Sequence, residues 1–203
     1  MMYFDDGSLD RAWFHLLNAG PHAPGWIDIL GIAGAVGLIY LVPVFLAAAW
    51  LWGRSQRRSG LLAAFVAIWL GVGINQLIGL FLFEPRPFML HLGRTLLAHA
   101  PNSAFPSDHV TVLTALAVTL LLRRDWRTWG AGFTLSAVVV GWARIFVGVH
   151  WPFDILGAFV VGTLAALITA VGWRVGGEPV TRWGEDIYRR LLAPVIARGW
   201  IRG

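Results

Sequence analysis

The chain contains no cysteine, which excludes a disulfide framework, a thiolate metal site and a cysteine nucleophile. Charge is scarce as well: 13% of the 203 residues are charged, against 57% hydrophobic. Soluble globular chains carry charge on roughly a quarter of their positions, so this chain lacks the polar material to coat a water-exposed surface. The composition predicts a membrane protein. Every basic residue is arginine and the formal net charge is +5. A basic surplus can serve nucleic-acid binding through counterion release. Here the arginines form short clusters between apolar runs, and membrane topology accounts for them without a nucleic-acid partner. A basic leader is lacking too. The first apolar run follows Asp5, Asp6 and Asp10, so no cleavable signal peptide is expected and the first span is expected to stay.

What is present is a series of apolar runs. A helix crossing the hydrocarbon core needs about 20 mainly apolar residues. Runs that meet or approach this length are Trp26–Trp52 (interrupted by Asp28 and Pro43), Leu61–Phe83, His109–Leu122, Trp129–Val149 and Ile155–Val175. The third is short unless its helix begins near Ser107. The predicted fold is therefore all-α, an integral membrane bundle of about five transmembrane helices in a single domain over 1–203. Leu9–Ala19 places Leu9, Trp13, Leu16 and Leu17 near one helical face, so 1–25 reads as an interfacial segment. Residues 177–203 read as a basic, amphipathic cytoplasmic tail broken by Pro194. Trp50, Trp52, Trp126, Trp129 and Trp151 stand towards span ends, as an interfacial belt requires.

Arginine placement gives the orientation. Arg54, Arg57 and Arg58, then Arg123, Arg124 and Arg127, then Arg174 and the tail arginines all fall on one side of a five-span model. The other side holds only Arg11, Arg86, Arg94 and Arg144. The positive-inside rule puts the second side outside, which in a bacterial inner membrane is the periplasm.

Ionisable groups at or within spans are costly and suggest function. Three polar islands fall on the outer side. In Glu84-Pro85-Arg86-Pro87 the prolines stop the helix and fix the backbone around Arg86; alone, this reads equally as a snorkelling arginine. Pro106-Ser107-Asp108-His109 reads as a helix start with Ser107 at or near the cap. Its free amides and dipole suit an anion, with His109 in the first turn. An ordinary N-cap beside a surface histidine is the plain alternative. The third island is Arg144 followed by His150-Trp151-Pro152-Phe153-Asp154. Pro152 suits the first turn of a helix, and Asp154 stands where it can hold one imidazole nitrogen protonated, leaving the other free as nucleophile or base. A structural His–Asp pair is the alternative there. Together, two arginines, an anion-binding helix start and two histidines are the parts needed for phosphoryl transfer through a phosphohistidine.

These islands resemble the three signature motifs of the type 2 phosphatidic acid phosphatase superfamily: RP at Arg86-Pro87, PSxH at Pro106–His109 and RxxxxxHxxxD at Arg144–Asp154. Within it the chain is most similar to the bacitracin-resistance type of undecaprenyl diphosphate phosphatase, through Asn75–Phe88, Phe105–His109 and Arg144–Ala158. The resemblance implies a helical membrane bundle and hydrolysis without a metal or other cofactor. It implies that His150 attacks phosphorus, Asp154 orients it, and His109 protonates the leaving lipid phosphate and then activates water. Arg86, Arg144, Ser107 and nearby amides would hold phosphate oxygens, with Asp108 also in the binding site. Three positions depart from the wider pattern: Gly79 where a lysine is usual, Asp108 for glycine, and Ala143 for serine. Arg94 or a water is expected to compensate for the missing cation, and Asp108 is expected to repel phosphate unless an arginine pairs with it.

The implied activity is dephosphorylation of undecaprenyl diphosphate at the periplasmic face, recycling the cell-wall lipid carrier and giving bacitracin resistance. The expected partners are a polyprenyl diphosphate substrate and membrane lipids. Another lipid phosphatase, acting on phosphatidylglycerophosphate or phosphatidate, a lipid phosphotransferase and a non-catalytic lipid transporter remain open. His91 and His99 have no carboxylate at ligand-like spacing and are set aside as metal ligands. His15 and His22 read as interfacial. Glu84 reads either as an orienting partner of Arg86 or as a helix-end acid, and Asn75 and Gln76 either line the bundle or contact the headgroup.

Overall fold

The computed structural model describes residues 9–203; Asp5, Asp6 and the rest of the first eight positions of the expected interfacial segment lie outside the described residues. All regular structure among the described residues is helical: α1 (Leu9–Leu17), α2 (Gly25–Gly37), α3 (Leu41–Trp52), α4 (Arg58–Phe81), α5 (Asp108–Leu121), α6 (Arg127–Phe146), α7 (Pro152–Leu191) and α8 (Ala193–Ala197). Helices α2 and α3 form one rod, Gly25–Trp52, joined by a 3₁₀ turn at Leu38–Tyr40. Pro43 has no N–H to offer the carbonyl of Ile39, and the tighter winding falls just before it.

Among the described residues, four helices are long and apolar enough to cross a membrane: Gly25–Trp52, Ser55–Phe81, Arg124–Phe146 and Pro152–Leu191. The remaining expected span, the third in chain order, is α5, and it stays short at 14 residues, about 21 Å at 1.5 Å per residue. Its sequence is rich in Val and Thr, residues that weaken an isolated helix; burial compensates. Leu113, Leu116, Leu120 and Val110 are fully enclosed, and α4, α6 and α7 surround the helix. Thr119 satisfies its hydroxyl by donating to the carbonyl of Ala115 at 2.7 Å. Small residues let the neighbours close in. A Cβ at Gly162 would lie 2.7 Å from Thr114, and one at Gly71 would lie 2.9 Å from the Thr111 methyl.

That last contact fixes the depth of α5. Helix α4 continues ten residues beyond Gly71 to Phe81, about 15 Å. Helix α5 begins three residues before Thr111, about 4.5 Å. The start of α5 is thus sunk roughly 10 Å below the end of α4, and the segment 82–107 closes over it.

The two ends of the bundle differ in charge as expected. One end gathers the α3–α4 and α5–α6 turns and the C-terminal tail. Arg58 is fully buried there: Nη2 donates to the Arg202 carbonyl at 2.6 Å, and the guanidinium stacks 4.5 Å from the Tyr188 ring. The opposite end carries Arg86, His109, Arg144 and His150. Helix α7 does not stop at the expected tail boundary near 177 but runs on for 40 residues, through Pro179, before breaking ahead of Pro194. The carbonyl that Pro179 leaves unbonded is that of Val175, which is among the most exposed residues.

Helix α1 presents Leu9, Trp13, Leu16 and Leu17 outward, as the interfacial reading requires, while Asp10 and Phe14 are buried against the bundle. Asp10 Oδ1 accepts from the Phe153 N–H at 2.9 Å. Asn18 Nδ2 donates to the carbonyls of Arg94 and Phe146 at 3.0 Å, and its Oδ1 accepts from the Arg94 N–H at 2.7 Å. The tryptophan belt is only partly realised. Trp52 and Trp129 are exposed, but Trp126 and Trp151 are buried. Trp151 packs on Phe14 and donates to the Pro85 carbonyl at 2.8 Å, so its polar atom finds a partner inside the protein rather than at an interface.

After α6 the chain turns at Gly148, where φ is +81° and a Cβ would lie 2.5 Å from the Arg94 carbonyl oxygen. Both conditions demand glycine. Gly148→Ala is expected to lower stability by more than about 1 kcal/mol, read as a lower Tm of the detergent-purified protein; an unchanged Tm would contradict this account of the turn.

Candidate active site

Four segments converge on a cavity of about 280 Å³ at the sunken start of α5. Helix α4 contributes Asn75, Gln76 and Gly79, the 82–107 connection contributes Arg86, His99 and Asn102, α5 contributes Asp108 and His109, and the α6–α7 region contributes Arg144 and His150. Of the residues singled out in the sequence, Arg86, Asp108, His109, Arg144 and His150 line it directly.

His150 is held by its neighbours in one tautomer. Asp154, in the first turn of α7, is fully buried, and its Oδ2 lies 3.0 Å from His150 Nδ1. The same oxygen accepts from the Trp151 N–H at 2.8 Å, reaching back over the helix start. The other ring nitrogen, Nε2, lies 3.1 Å from Arg86 Nη1 and 3.4 Å from Arg144 Nη2. A guanidinium can only donate, so Nε2 must be the acceptor and Nδ1 carries the proton toward Asp154. Burial and the two guanidiniums hold the His150 pKa well below its ordinary value, keeping the imidazole neutral with its Nε2 lone pair inside the cavity.

The two arginines are held differently. Arg86 is committed on every side: Nε and Nη2 donate to Asn102 Oδ1 at 3.1 and 2.9 Å, Nη2 to the Ser103 carbonyl at 3.0 Å, and Nη1 to the Val149 carbonyl at 2.8 Å. It is a fixed positive charge. Arg144 is buried on α6, and its Nε has no partner. Ser107 stands at the N-cap of α5 as expected, yet its hydroxyl makes no capping bond and is likewise buried without a partner. Buried polar atoms are rarely left so. An Arg144 Nε, a Ser107 Oγ and the first-turn amides of α5 are the donors that suit a phosphoryl group.

Two expectations need correction, and one open reading is decided. Among the described residues Asp108 is bonded by no arginine; Asn75 Nδ2 donates to its Oδ1 at 2.8 Å and Gln76 Nε2 to its Oδ2 at 3.3 Å. Neutral amides on α4 thus hold the carboxylate, and Asn75 also bonds Thr111 at 3.0 Å. Arg94 does not replace the cation missing at Gly79, because it forms a two-point ion pair with Asp28, at 3.1 and 2.7 Å. Glu84 is not bonded to Arg86 among the described residues. The residues that orient Arg86 are Asn102 and Ser103, and sequence reasoning missed them: an Asn-Ser pair in a loop carries no signal of where it points. His99 was set aside as a metal ligand, yet its ring centroid lies 6.4 Å from that of His150.

Behind the site lies a second acidic group. Glu84 is buried, and desolvation together with the nearby Asp10 pushes its pKa up from 4.5 to about 7. A raised carboxyl pKa means that the folded state binds a proton the unfolded state releases. Its contribution to stability is complete below pH 4.5 and is lost as pH rises through about 7. Wild-type Tm is therefore expected to fall between pH 5 and 8, and Glu84→Gln to remove most of that fall; identical Tm–pH profiles would overturn the assignment.

Comparison with known proteins places this geometry. Residues 60–175, more than half of the chain, match the PAP2 superfamily. The YbjG protein of Escherichia coli (strain K12) is 33% identical over 196 residues, spanning 96% of this chain and 98% of that one. An undecaprenyl-diphosphatase of Bacillus subtilis (strain 168), BcrC, is 39% identical over 155 residues, 76% of this chain and 79% of the relative. The crystal structure of Aquifex aeolicus LpxE shares the fold, with a TM-score of 0.63 at 23% identity over 83% of this chain and 99% of that one. The helical bundle, the matched region that carries all three motifs and the relatives alike over most of their length agree: the chain belongs to the PAP2 superfamily, the type 2 phosphatidic acid phosphatases that its motifs resemble.

Proposed function

We propose that this chain removes the terminal phosphate of undecaprenyl diphosphate, yielding undecaprenyl phosphate and inorganic phosphate through a phosphohistidine at His150. The observation that carries this reading is the His150 ring, with Nδ1 3.0 Å from the buried Asp154 and Nε2 presented between two guanidiniums. Nε2 attacks the terminal phosphorus as the bond to the bridging oxygen breaks. Asp154 stabilises the imidazolium that forms. Arg144 and the start of α5 take the phosphoryl oxygens, and Arg86 adds its fixed charge to a site where stabilisation of spread negative charge is the main task. His109, which lines the same cavity and makes no side-chain hydrogen bond among the described residues, protonates the departing lipid phosphate. It then draws a proton from the water that splits the phosphorus–nitrogen bond.

A lipid substrate is supported by what borders the cavity. Leu80 lines it, and Leu77, Leu80, Phe81, Leu82 and Phe83 make an exposed apolar stretch at that end of α4. A polar headgroup site beside such a stretch suits an amphiphile whose chain stays in the membrane. The diphosphate and polyprenyl identity rests on BcrC, named an undecaprenyl-diphosphatase, and on the motif stretches the chain shares with that type. The arginine asymmetry supports a periplasmic site in a bacterial inner membrane. There the activity would recycle the cell-wall lipid carrier and oppose bacitracin.

The test is phosphate release from undecaprenyl diphosphate by purified protein, with and without chelator, alongside phosphatidate and phosphatidylglycerophosphate. Release that survives chelator is expected. His150→Ala is expected to abolish it, and His109→Ala to lower kcat by about 10²–10⁴-fold. No release by wild type, or equal release by His150→Ala, would sink the reading. Faster turnover of a phospholipid monophosphate would transfer the chemistry to another substrate.

A further inference from the structure

The chemistry assigned to His150 uses one phosphate of the headgroup. A diphosphate brings a second, which stays on the lipid, carries its own negative charge and needs a donor of its own. Most donors around the cavity already have partners. Arg86 is spent on Asn102, Ser103 and Val149. Asn75 and Gln76 are turned to Asp108. Ser103 Oγ donates to the Leu82 carbonyl at 3.2 Å. Arg144 and Ser107 lie with the nucleophile. Asn102, whose Oδ1 accepts from Arg86, keeps an amide that brings no charge; among the ionisable side chains lining the cavity His109 and His99 are left, and His109 is occupied by proton transfer.

His99 is placed for this task. It stands in the connection that roofs the cavity, half-buried, with its ring 6.4 Å from that of His150 and inclined at 73° to it. Its Nδ1 lies 3.0 Å from the Ala100 carbonyl. A carbonyl only accepts, so Nδ1 carries a proton and Nε2 is the free position. The opposite wall leaves room, since a Cβ at Gly79 would meet nothing nearer than Ser103 at 3.8 Å.

Resting on the diphosphatase reading above, we propose that His99 is the specificity residue for a diphosphate headgroup: protonated at Nε2, it donates to the phosphate that remains on the lipid. The step moves one proton and breaks no bond. In the free protein, burial, Arg86 and Arg144 lower the His99 pKa, with the Ala100 carbonyl and Asp108 opposing, and His109 and His150 also face it. Arrival of a second phosphate supplies the negative charge that favours the imidazolium. Diphosphate binding therefore takes up a proton at His99, and the lipid phosphate leaves beside a cation.

The experiment compares wild type, His99→Gln and His99→Lys on polyprenyl diphosphate and polyprenyl monophosphate of equal chain length. Inhibition by methylenediphosphonate and by inorganic phosphate is measured in parallel. His99→Gln is expected to lower the diphosphate-over-monophosphate ratio of kcat/KM by about tenfold or more, the usual consequence of losing a charged hydrogen bond. It should weaken methylenediphosphonate inhibition by a similar factor relative to phosphate. In wild type the diphosphate KM should rise with pH through the neutral range. That rise should vanish in His99→Gln, and His99→Lys should restore tight diphosphate binding. Parallel losses on both substrates and both inhibitors, or no loss with diphosphate, overturn the proposal while leaving the His150 chemistry standing. A wild type that releases no phosphate from diphosphate, yet discriminates the two inhibitors through His99, overturns the substrate reading instead.

Discussion

One carboxylate oxygen, Oδ2 of Asp154, accepts both from the His150 ring and from the Trp151 N–H, and the geometry of the site depends on these two hydrogen bonds. It ties the start of α7 to the histidine just ahead of it and fixes which ring nitrogen holds the proton. Without it the imidazole could turn its proton toward two guanidiniums, which have nothing to accept it with. The surrounding protein is organised to keep that oxygen in place. Pro152 opens α7 at a set angle, Asp10 from the other end of the chain caps the Phe153 amide, and Phe14 packs against Trp151. The charge of Arg86, which acts on Asp154, and the Trp151 amide offset part of the cost of burying a carboxylate this deeply.

The arginines show a division of labour that a motif does not convey. Both occupy signature positions, but the backbone and Asn102 have consumed the donors of Arg86, while Arg144 retains a buried, unpartnered Nε. Preorganised charge and open donors are different contributions. The first lowers the energy of any anion in the site without moving. The second selects a geometry. Asp108, an added negative charge, is accommodated by a third device, two neutral amides from the adjacent helix that bind its oxygens without cancelling the site's cations.

The sequence made legible what rests on local chemistry. Apolar runs marked the long helices, arginine clusters separated the two ends, and Pro-Ser and Trp-Pro marked the starts of α5 and α7. Positions set by long-range packing were not legible. The length of α5 is one, because a Val- and Thr-rich helix is defined by the three helices around it. The run of α7 past Pro179 is another, since an exposed proline costs little where the orphaned carbonyl meets solvent. Asn18, Asn102 and His99 meet residues far from them in the chain, from 16 positions away for Asn102 to 128 for Asn18, on loops whose direction no periodicity records. Trp126 and Trp151 looked interfacial because they stand at helix ends, yet neighbouring aromatic side chains enclose them.

The sunken start of α5 bears on how a chain this small would handle the long amphiphile proposed as its substrate. With the start of α5 roughly 10 Å below the end of α4, a headgroup drawn into the cavity in the proposed orientation would move toward the bilayer interior rather than away from it. The hydrocarbon then never has to leave its solvent. No tunnel is required to sheathe it, and the work of extraction that a water-facing enzyme would face does not arise. What the protein must strip of water is only the phosphate, and the guanidiniums and helix amides are gathered where that hydration is given up.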